Sequence, residues 1–263
     1  MTRATTVIFA LALIVQTSAQ DMPLPSKERF HLYVLAGQSN MAGRGSVEAG
    51  DKAPHQRVLM LSKEMKWVPA SDPMHFDKPI AGVGPGLTFG RVIAEAQPDI
   101  TVGLIPCAVG GSPIETWTPG AYYVETKSHP WDDMIERLHA AQRTGMLKGI
   151  LWHQGESDCN PERAPAYEKR LHELIARLRE AVKSPNLPFI AGQIGRFQGT
   201  TWTPSHDLVD QAHRDLPMKV PHTAFVESTG LKDKGDKLHF DAVSAREFGQ
   251  RYATEFLKLN GKD

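Results

Sequence analysis

The sequence predicts an α/β fold, a three-layer α/β/α sandwich around a central parallel sheet of about five strands. Three observations predict it. Short apolar runs rich in β-branched residues recur along the chain, amphipathic stretches of helical period separate them, and the residues able to do chemistry fall just after the apolar runs. Parallel strands joined by crossover helices produce this alternation, and ligands of such sheets bind beyond the carboxyl ends of the strands. With 263 residues, 41% of them hydrophobic, the chain can bury one good core, so residues 20–263 are expected to form a single domain.

Residues 1–19 stand outside that core. Arg3 gives a positive start, Val7 to Val15 is uninterrupted apolar sequence, and Thr17-Ser18-Ala19 offers small residues for cleavage, the pattern of a signal peptide. The apolar stretch is well short of the roughly 20 residues that span a bilayer, so no stable membrane anchor is expected after its removal. The mature chain would begin near Gln20 and be secreted or periplasmic. Cys107 and Cys159 would then meet an oxidising compartment. Each follows a predicted strand, which leaves both a disulfide and two free thiols open.

Strands are expected at 31–36, 58–61, 102–106, 149–153, 189–193 and 223–226, each bounded by Gly, Pro or polar residues. Helices fill the gaps. Residues 87–95 carry Phe89, Val92 and Ile93 at helical spacing, and 131–146 carry Met134, Ile135, Leu138 and Ala141. Residues 164–182 set Tyr167, Leu171, Leu174, Ile175 and Leu178 in one stripe opposite a solvated charged face. Further helices are expected at 204–216 and 242–259, the last capped by Asp241. The stretches 43–55, 67–86, 113–130 and 195–203 read as irregular loops in which substrate specificity would reside.

Thirty basic residues balance thirty acidic ones, and no basic block or stripe is present, so nucleic acid is not an expected partner. The chemistry lies elsewhere. Gly37-Gln38-Ser39-Asn40-Met41 places a serine at the tip of the first strand, and Asp236-Lys237-Leu238-His239 lies near the other end. An acid three residues before a histidine lets one loop present a base together with the carboxylate that orients it. Ser39 would be the nucleophile, His239 its base and later the acid for the leaving oxygen, and Asp236 the group that fixes the imidazole tautomer. Position 41 is Met, so this is not the Gly-x-Ser-x-Gly elbow. Gly110-Gly111 offers backbone that can approach a substrate closely, giving an amide donor to an oxyanion beside the Ser39 amide.

Each residue also has a plainer reading. Ser39 could cap a helix, His239 could be a packing histidine, and Asp236 a turn residue after Gly235. Trp152 is expected in the core, while Trp117 could be core or could stack on a sugar ring. His153, Glu156, Asp158, His239 and Asp241 lack compact ligand spacing, so no metal site and no cofactor are expected.

Four blocks in order resemble the sialate O-acetylesterase-like (SASA) branch of the SGNH hydrolases, also classed as carbohydrate esterase family six. They are Gly37 to Gly43, Pro106 to Trp117, Leu151 to Asp158 and Asp236 to Phe240, and the likeness spans the mature chain from 31 to 256. The resemblance implies a flavodoxin-like fold and a secreted serine esterase that removes O-acetyl groups from carbohydrates of acetylxylan or sialic acid type. It also implies Ser39, Gly111 and Gln154 as the oxyanion hole, with Gln154 standing where most of the superfamily has asparagine. Glu156 enters as an alternative triad acid, because some members of the family are held to use such a glutamate. Local spacing favours Asp236, leaving Glu156 as a brace that bonds backbone amides of the serine and histidine loops. A lipid or aryl esterase of the same fold, or a catalytically silent glycan-binding protein, are the competing readings.

Overall fold

The computed structural model describes residues 23–261, so the leader expected over 1–19 and the start near Gln20 lie outside the described residues. In chain order the elements are β1 (Phe30–Gly37), α1 (Ser39–Ala42), α2 (Ala49–Lys52), β2 (Val58–Leu61), β3 (Trp67–Pro69), α3 (Pro85–Ala96) and β4 (Thr101–Pro106). They continue with α4 (Pro130–Gln142), β5 (Met146–His153), α5 (Ala164–Ala181), β6 (Phe189–Gly192), α6 (Pro204–Lys219), β7 (Thr223–Val226) and α7 (Ala242–Asn260).

The strands form one sheet of seven in the order β3-β2-β4-β1-β5-β6-β7. All neighbours are parallel except β2 and β3, which pair antiparallel from Leu59 opposite Pro69 to Leu61 opposite Trp67. The expectation of about five parallel strands is therefore corrected in number and, at one edge, in direction. Trp67 and Val68, both half-buried, and the exposed Pro69 give no alternation for a sequence reading to detect. They pair because the Ser62 and Lys66 backbones close a tight turn behind β2.

Period-two alternation in β1 fixes the three layers. Phe30, Leu32, Val34 and Ala36 pack with α4, α5 and α6 on one face of the sheet, whereas Tyr33 and Leu35 pack with α3 and α7 on the other. On that second face the rings of Phe89 and Phe256 meet Tyr33 edge-on at 5.0 and 5.1 Å. Each such fully buried side chain contributes roughly 1.5–3 kcal/mol. Trp152 is sealed in the first core as expected, and Trp117 is sealed with it, their rings 5.1 Å apart. Neither indole is available to a sugar.

Helix α4 stops at Gln142 instead of running to 146. The Thr144 hydroxyl and the Thr144 and Gly145 amides all donate to the Ala141 carbonyl, and Met146 is already paired with His31 in β5. Asp241 caps α7 as expected, accepting the Ser244 amide at 2.7 Å. Cys107 and Cys159 are both free thiols. No helix among the described residues is long and apolar enough to cross a membrane.

Strand order changes direction at β1, whose neighbours are β4 on one side and β5 on the other. Open α/β sheets form a crevice at such a switch point. The loops after β1, β4 and β5 carry Ser39, Gly110-Gly111 and Gln154 to Glu156, and the loop after β7 carries Asp236 and His239.

Candidate active site

The end of β1 determines where the serine sits. Gly37 has φ of +126°, and a Cβ there would lie 2.0 Å from the His153 carbonyl oxygen at the end of β5. Only glycine allows that approach. The Gln38 amide then donates to the same carbonyl at 2.8 Å, and α1 starts at Ser39, with Gln38 and not Ser39 at the cap position.

From the opposite end of the sequence, the loop before α7 brings its histidine to this serine. His239 Nε2 lies 3.0 Å from Ser39 Oγ, and His239 Nδ1 lies 2.7 Å from Asp236 Oδ2. The carboxylate can only accept, so Nδ1–H donates to Asp236, which leaves the Nε2 lone pair to receive the serine hydroxyl. Asp236 Oδ1 accepts the amides of Leu238 at 3.0 Å and His239 at 2.8 Å. Burial opposes its charge, but the bonds from the His239 backbone and imidazole and from the Leu238 amide outweigh it, holding this carboxyl well below the usual carboxylate range. Asp236 is thus ionised wherever an imidazole base can work.

Glu156 takes a different position. Its Oε1 accepts from Asn40 Nδ2 at 2.6 Å, and it makes no hydrogen bond to His239. Nor does it bond the backbone amides proposed for it. It braces the site through Asn40, a residue the sequence reading did not single out, although it adjoins Ser39 in the first block. Asn40 Nδ2 also donates to the Leu238 carbonyl at 3.1 Å, and its Oδ1 accepts the Phe240 amide at 3.1 Å, so one side chain ties the serine turn to the histidine loop. His153, buried behind Glu156 with Nδ1 3.7 Å from Oε1, has its pKa pushed down by burial and bonds the Gln193 carbonyl through Nε2.

Ser39, His239, Gly110, Gly111, Glu156, Gln38 and Arg44 are among the residues lining a cavity of about 250 Å³. The Gly110 amide is committed, donating to Asp77 Oδ2 at 2.9 Å, and Asp77 is in turn paired with Arg44 at 2.8 Å. Neither Arg44 nor Asp77 was foreseen; Asp77 lies in a stretch that reads as irregular. The Gly111 amide has no protein acceptor among the described residues, and the Ser39 amide opens a helix, where first-turn amides lack intrahelical partners. Both amides can serve a developing oxyanion.

Gln154 requires a correction. It is fully buried, and its Nε2 donates to the Ser112 carbonyl and to Asp158 Oδ2, two groups that can only accept. Its Oε1 receives the Tyr167 hydroxyl at 2.9 Å, while His213 Nε2 lies 2.8 Å from that hydroxyl on the other side. Both amide hydrogens and the oxygen are occupied, so the side chain is not free to meet an oxyanion in the cavity. The buried acceptors Ser112 and Asp158 claim what the sequence pattern alone assigned to substrate.

With this geometry in place, residues 29–258 match the family described as carbohydrate esterase, sialic acid-specific acetylesterase. The chain belongs to this family. The esterase is 32% identical over 256 residues to an Arabidopsis thaliana protein named a probable carbohydrate esterase, covering 89% of this chain and 92% of that one. A crystal structure of an Arabidopsis thaliana protein superposes with a TM-score of 0.77 at 30% identity, over 89% of the esterase and 99% of that chain. NanS superposes with a TM-score of 0.73 at 16% identity, over 91% of the esterase and all of NanS. A carbohydrate acetylesterase from Xanthomonas citri gives 0.69 at 19% identity, over 88% of the esterase and 57% of that chain. These last two likenesses concern the fold.

Proposed function

We propose that this carbohydrate esterase is a secreted serine enzyme that removes O-acetyl groups from sugars through an acyl-enzyme on Ser39. The observation that carries the reading is the continuous relay from Ser39 Oγ to His239 Nε2 and from His239 Nδ1 to Asp236 Oδ2, at 3.0 and 2.7 Å. Ser39 Oγ attacks the acetyl carbonyl carbon while His239 Nε2 takes its proton. Asp236 steadies the resulting imidazolium, and the amides of Ser39 and Gly111 hold the tetrahedral oxyanion. His239 then returns the proton to the sugar oxygen as the C–O bond breaks. Water, deprotonated by the same imidazole, attacks the acetyl-serine, and His239 passes that proton to Ser39 Oγ as its bond to the acetyl carbon breaks and acetate leaves. Acetylxylan or O-acetylated sialic acid is the substrate class this reading favours.

Export through the leader at 1–19 agrees with a substrate found outside the cytoplasm. Acetate release from acetylated xylan and from O-acetylated sialic acid, by the parent and by Ser39→Ala side by side, tests the reaction. Turnover by the parent alone is expected. Equal turnover by both would remove Ser39 from the mechanism. Mass measurement of protein recovered outside the producing cell tests export, with a chain starting near Gln20 expected.

A further inference from the structure

Beside the catalytic cavity lies a second one, of about 230 Å³, beyond the carboxyl ends of β2 and β4, and the proposed reaction makes no use of it. We propose that it is a binding subsite for a second sugar unit of the same glycan chain, next to the unit that carries the acetyl group. The inference rests on the acyl-enzyme reading of Ser39 and makes the preferred substrate an acetylated oligosaccharide instead of a free monosaccharide.

The two cavities share a thin wall. Asp77 and Val109 line the second cavity, while their chain neighbours Lys78 and Gly110 line the first. Consecutive Cα atoms are about 3.8 Å apart, so the cavities lie side by side. The wall is tied together, since Asp77 is paired with Arg44 and receives the Gly110 amide. Tyr123 continues it, pairing with Ser128 of the second cavity and reaching toward Gly111 of the first, where its hydroxyl oxygen would lie 2.8 Å from an added Cβ. Exposed apolar side chains border both cavities, Phe76 the second and Ile80 the first. A glycan laid along residues 76–80 reaches both.

The lining of the second cavity is built to bind and not to react. Burial pushes the Cys107 thiol up to about 11 and His75 down to about 4, so both are neutral near pH 7. Arg137 spends Nε, Nη1 and Nη2 on the carbonyls of Pro106, Ser62 and Leu61, so its donors are engaged before any anion arrives. The remaining surface suits a sugar, which presents an apolar C–H face and a rim of hydroxyls. Pro106, Ala108, Val109 and Met134 supply apolar surface, and the Phe76 ring is fixed against the Arg137 guanidinium at 4.6 Å. The Thr126 and Ser128 hydroxyls, 2.7 Å apart, join the Lys63 ammonium and the Asp133 carboxylate, so hydroxyl groups find both donors and acceptors. Lys63 and Asp133 offset each other in charge, which favours a neutral polyol over an ion.

The test measures kcat/KM per acetyl group for acetylated xylose against acetylated xylotriose, for O-acetylated sialic acid free and linked to lactose, and for 4-nitrophenyl acetate, which has no sugar. Phe76→Ala removes the exposed ring, Thr126→Trp fills the second cavity, and melting temperature reports folding. The parent is expected to favour the longer member of at least one pair by about tenfold or more, the effect of partly burying one aromatic side chain. Both variants are expected to lose that preference while keeping parent-like 4-nitrophenyl acetate turnover and melting temperature. Equal kcat/KM within each pair for the parent, or the preference kept in either folded variant, would overturn the subsite and leave the serine mechanism standing. A fall on 4-nitrophenyl acetate equal to that on the longer glycan would also overturn it, since these residues would then act on the catalytic cavity itself. Full activity in Ser39→Ala, or turnover of 4-nitrophenyl acetate alone by the parent, would instead remove the reading on which the inference rests, and the inference with it.

Discussion

Asn40 Nδ2 lies 2.6 Å from Glu156 Oε1, and the same Asn40 side chain holds the backbone of Leu238 and Phe240 on either side of His239. This separates the duties of the two candidate acids. Asp236 touches the imidazole, whereas Glu156 acts on it only through Asn40. Asp236→Asn is expected to lower kcat by about 10⁴-fold, because an amide can present a donor to Nδ1 and favour the wrong tautomer. Glu156→Gln keeps an oxygen for Asn40 and should cost about tenfold or less. Steady-state kinetics on the two variants checks this, and the reverse ranking would make Glu156 the acid.

Arg44 and Asp77 form an ion pair whose side chains are 2% and 1% exposed, and Asp77 also receives the Gly110 amide. Asp77→Ala would strand a buried guanidinium and release the glycine loop. The expected cost is about 3–5 kcal/mol of stability, with activity falling as the loop loosens. Urea denaturation measures the first, and a loss under about 1 kcal/mol would mean that the pair behaves as an exposed one.

Burial pushes the pKa of His213 down to about 3 and that of His75 down to about 4. In the unfolded chain an imidazole takes its proton near about 6.5. Between these values the unfolded state binds more protons, so these histidines make the fold less stable as pH falls from about 6.5 toward 4. Burial of Asp158, pushed up to about 6, acts in the opposite sense over much of that range. The effect of one group is therefore best isolated by substitution. His213→Gln should reduce the slope of stability against pH between 6 and 4 by about one proton relative to the parent, read from denaturation at several pH values; an unchanged slope would mean that His213 titrates normally in the fold.

Gly37 leaves no room for any side chain, since an added Cβ would meet the His153 carbonyl oxygen at 2.0 Å from a backbone φ of +126°. Gly37→Ala must separate β1 from β5 at the point where the chain turns toward Ser39. A loss of about 3 kcal/mol or more is expected, together with loss of activity in whatever folds. Parent-like melting would show that the strand ends can part without penalty.

Six of the seven strands and the five long helices were legible because each buries a face through a regular period. Tyr33 and Leu35 against Val34 and Ala36, or Tyr167, Leu171 and Leu178 along α5, repeat at the spacing their geometry requires. β3 was not legible, since three edge residues carry no period. The end of α4 was misplaced because Met146, read as the last apolar residue of the helix, in fact opens β5.

Within the site, the sequence by itself determined the residues whose chemistry is local. Asp236 and His239 share one loop at a spacing that lets the carboxylate cap the turn and hold the imidazole together, and Gly110-Gly111 marks backbone that must come close. Tertiary structure decided which polar groups remain free to act. Gln154 and Gln38 have the same functional group and both lie beside cavity segments, yet Ser112 and Asp158 consume the amide of one while Gly155 and Ser157 hold only the oxygen of the other. A buried amide bonds whatever partner the fold brings within reach, because leaving it unpaired is costly. Those partners lie up to 119 residues away in the chain, so their competition is visible only once the strands have been assembled.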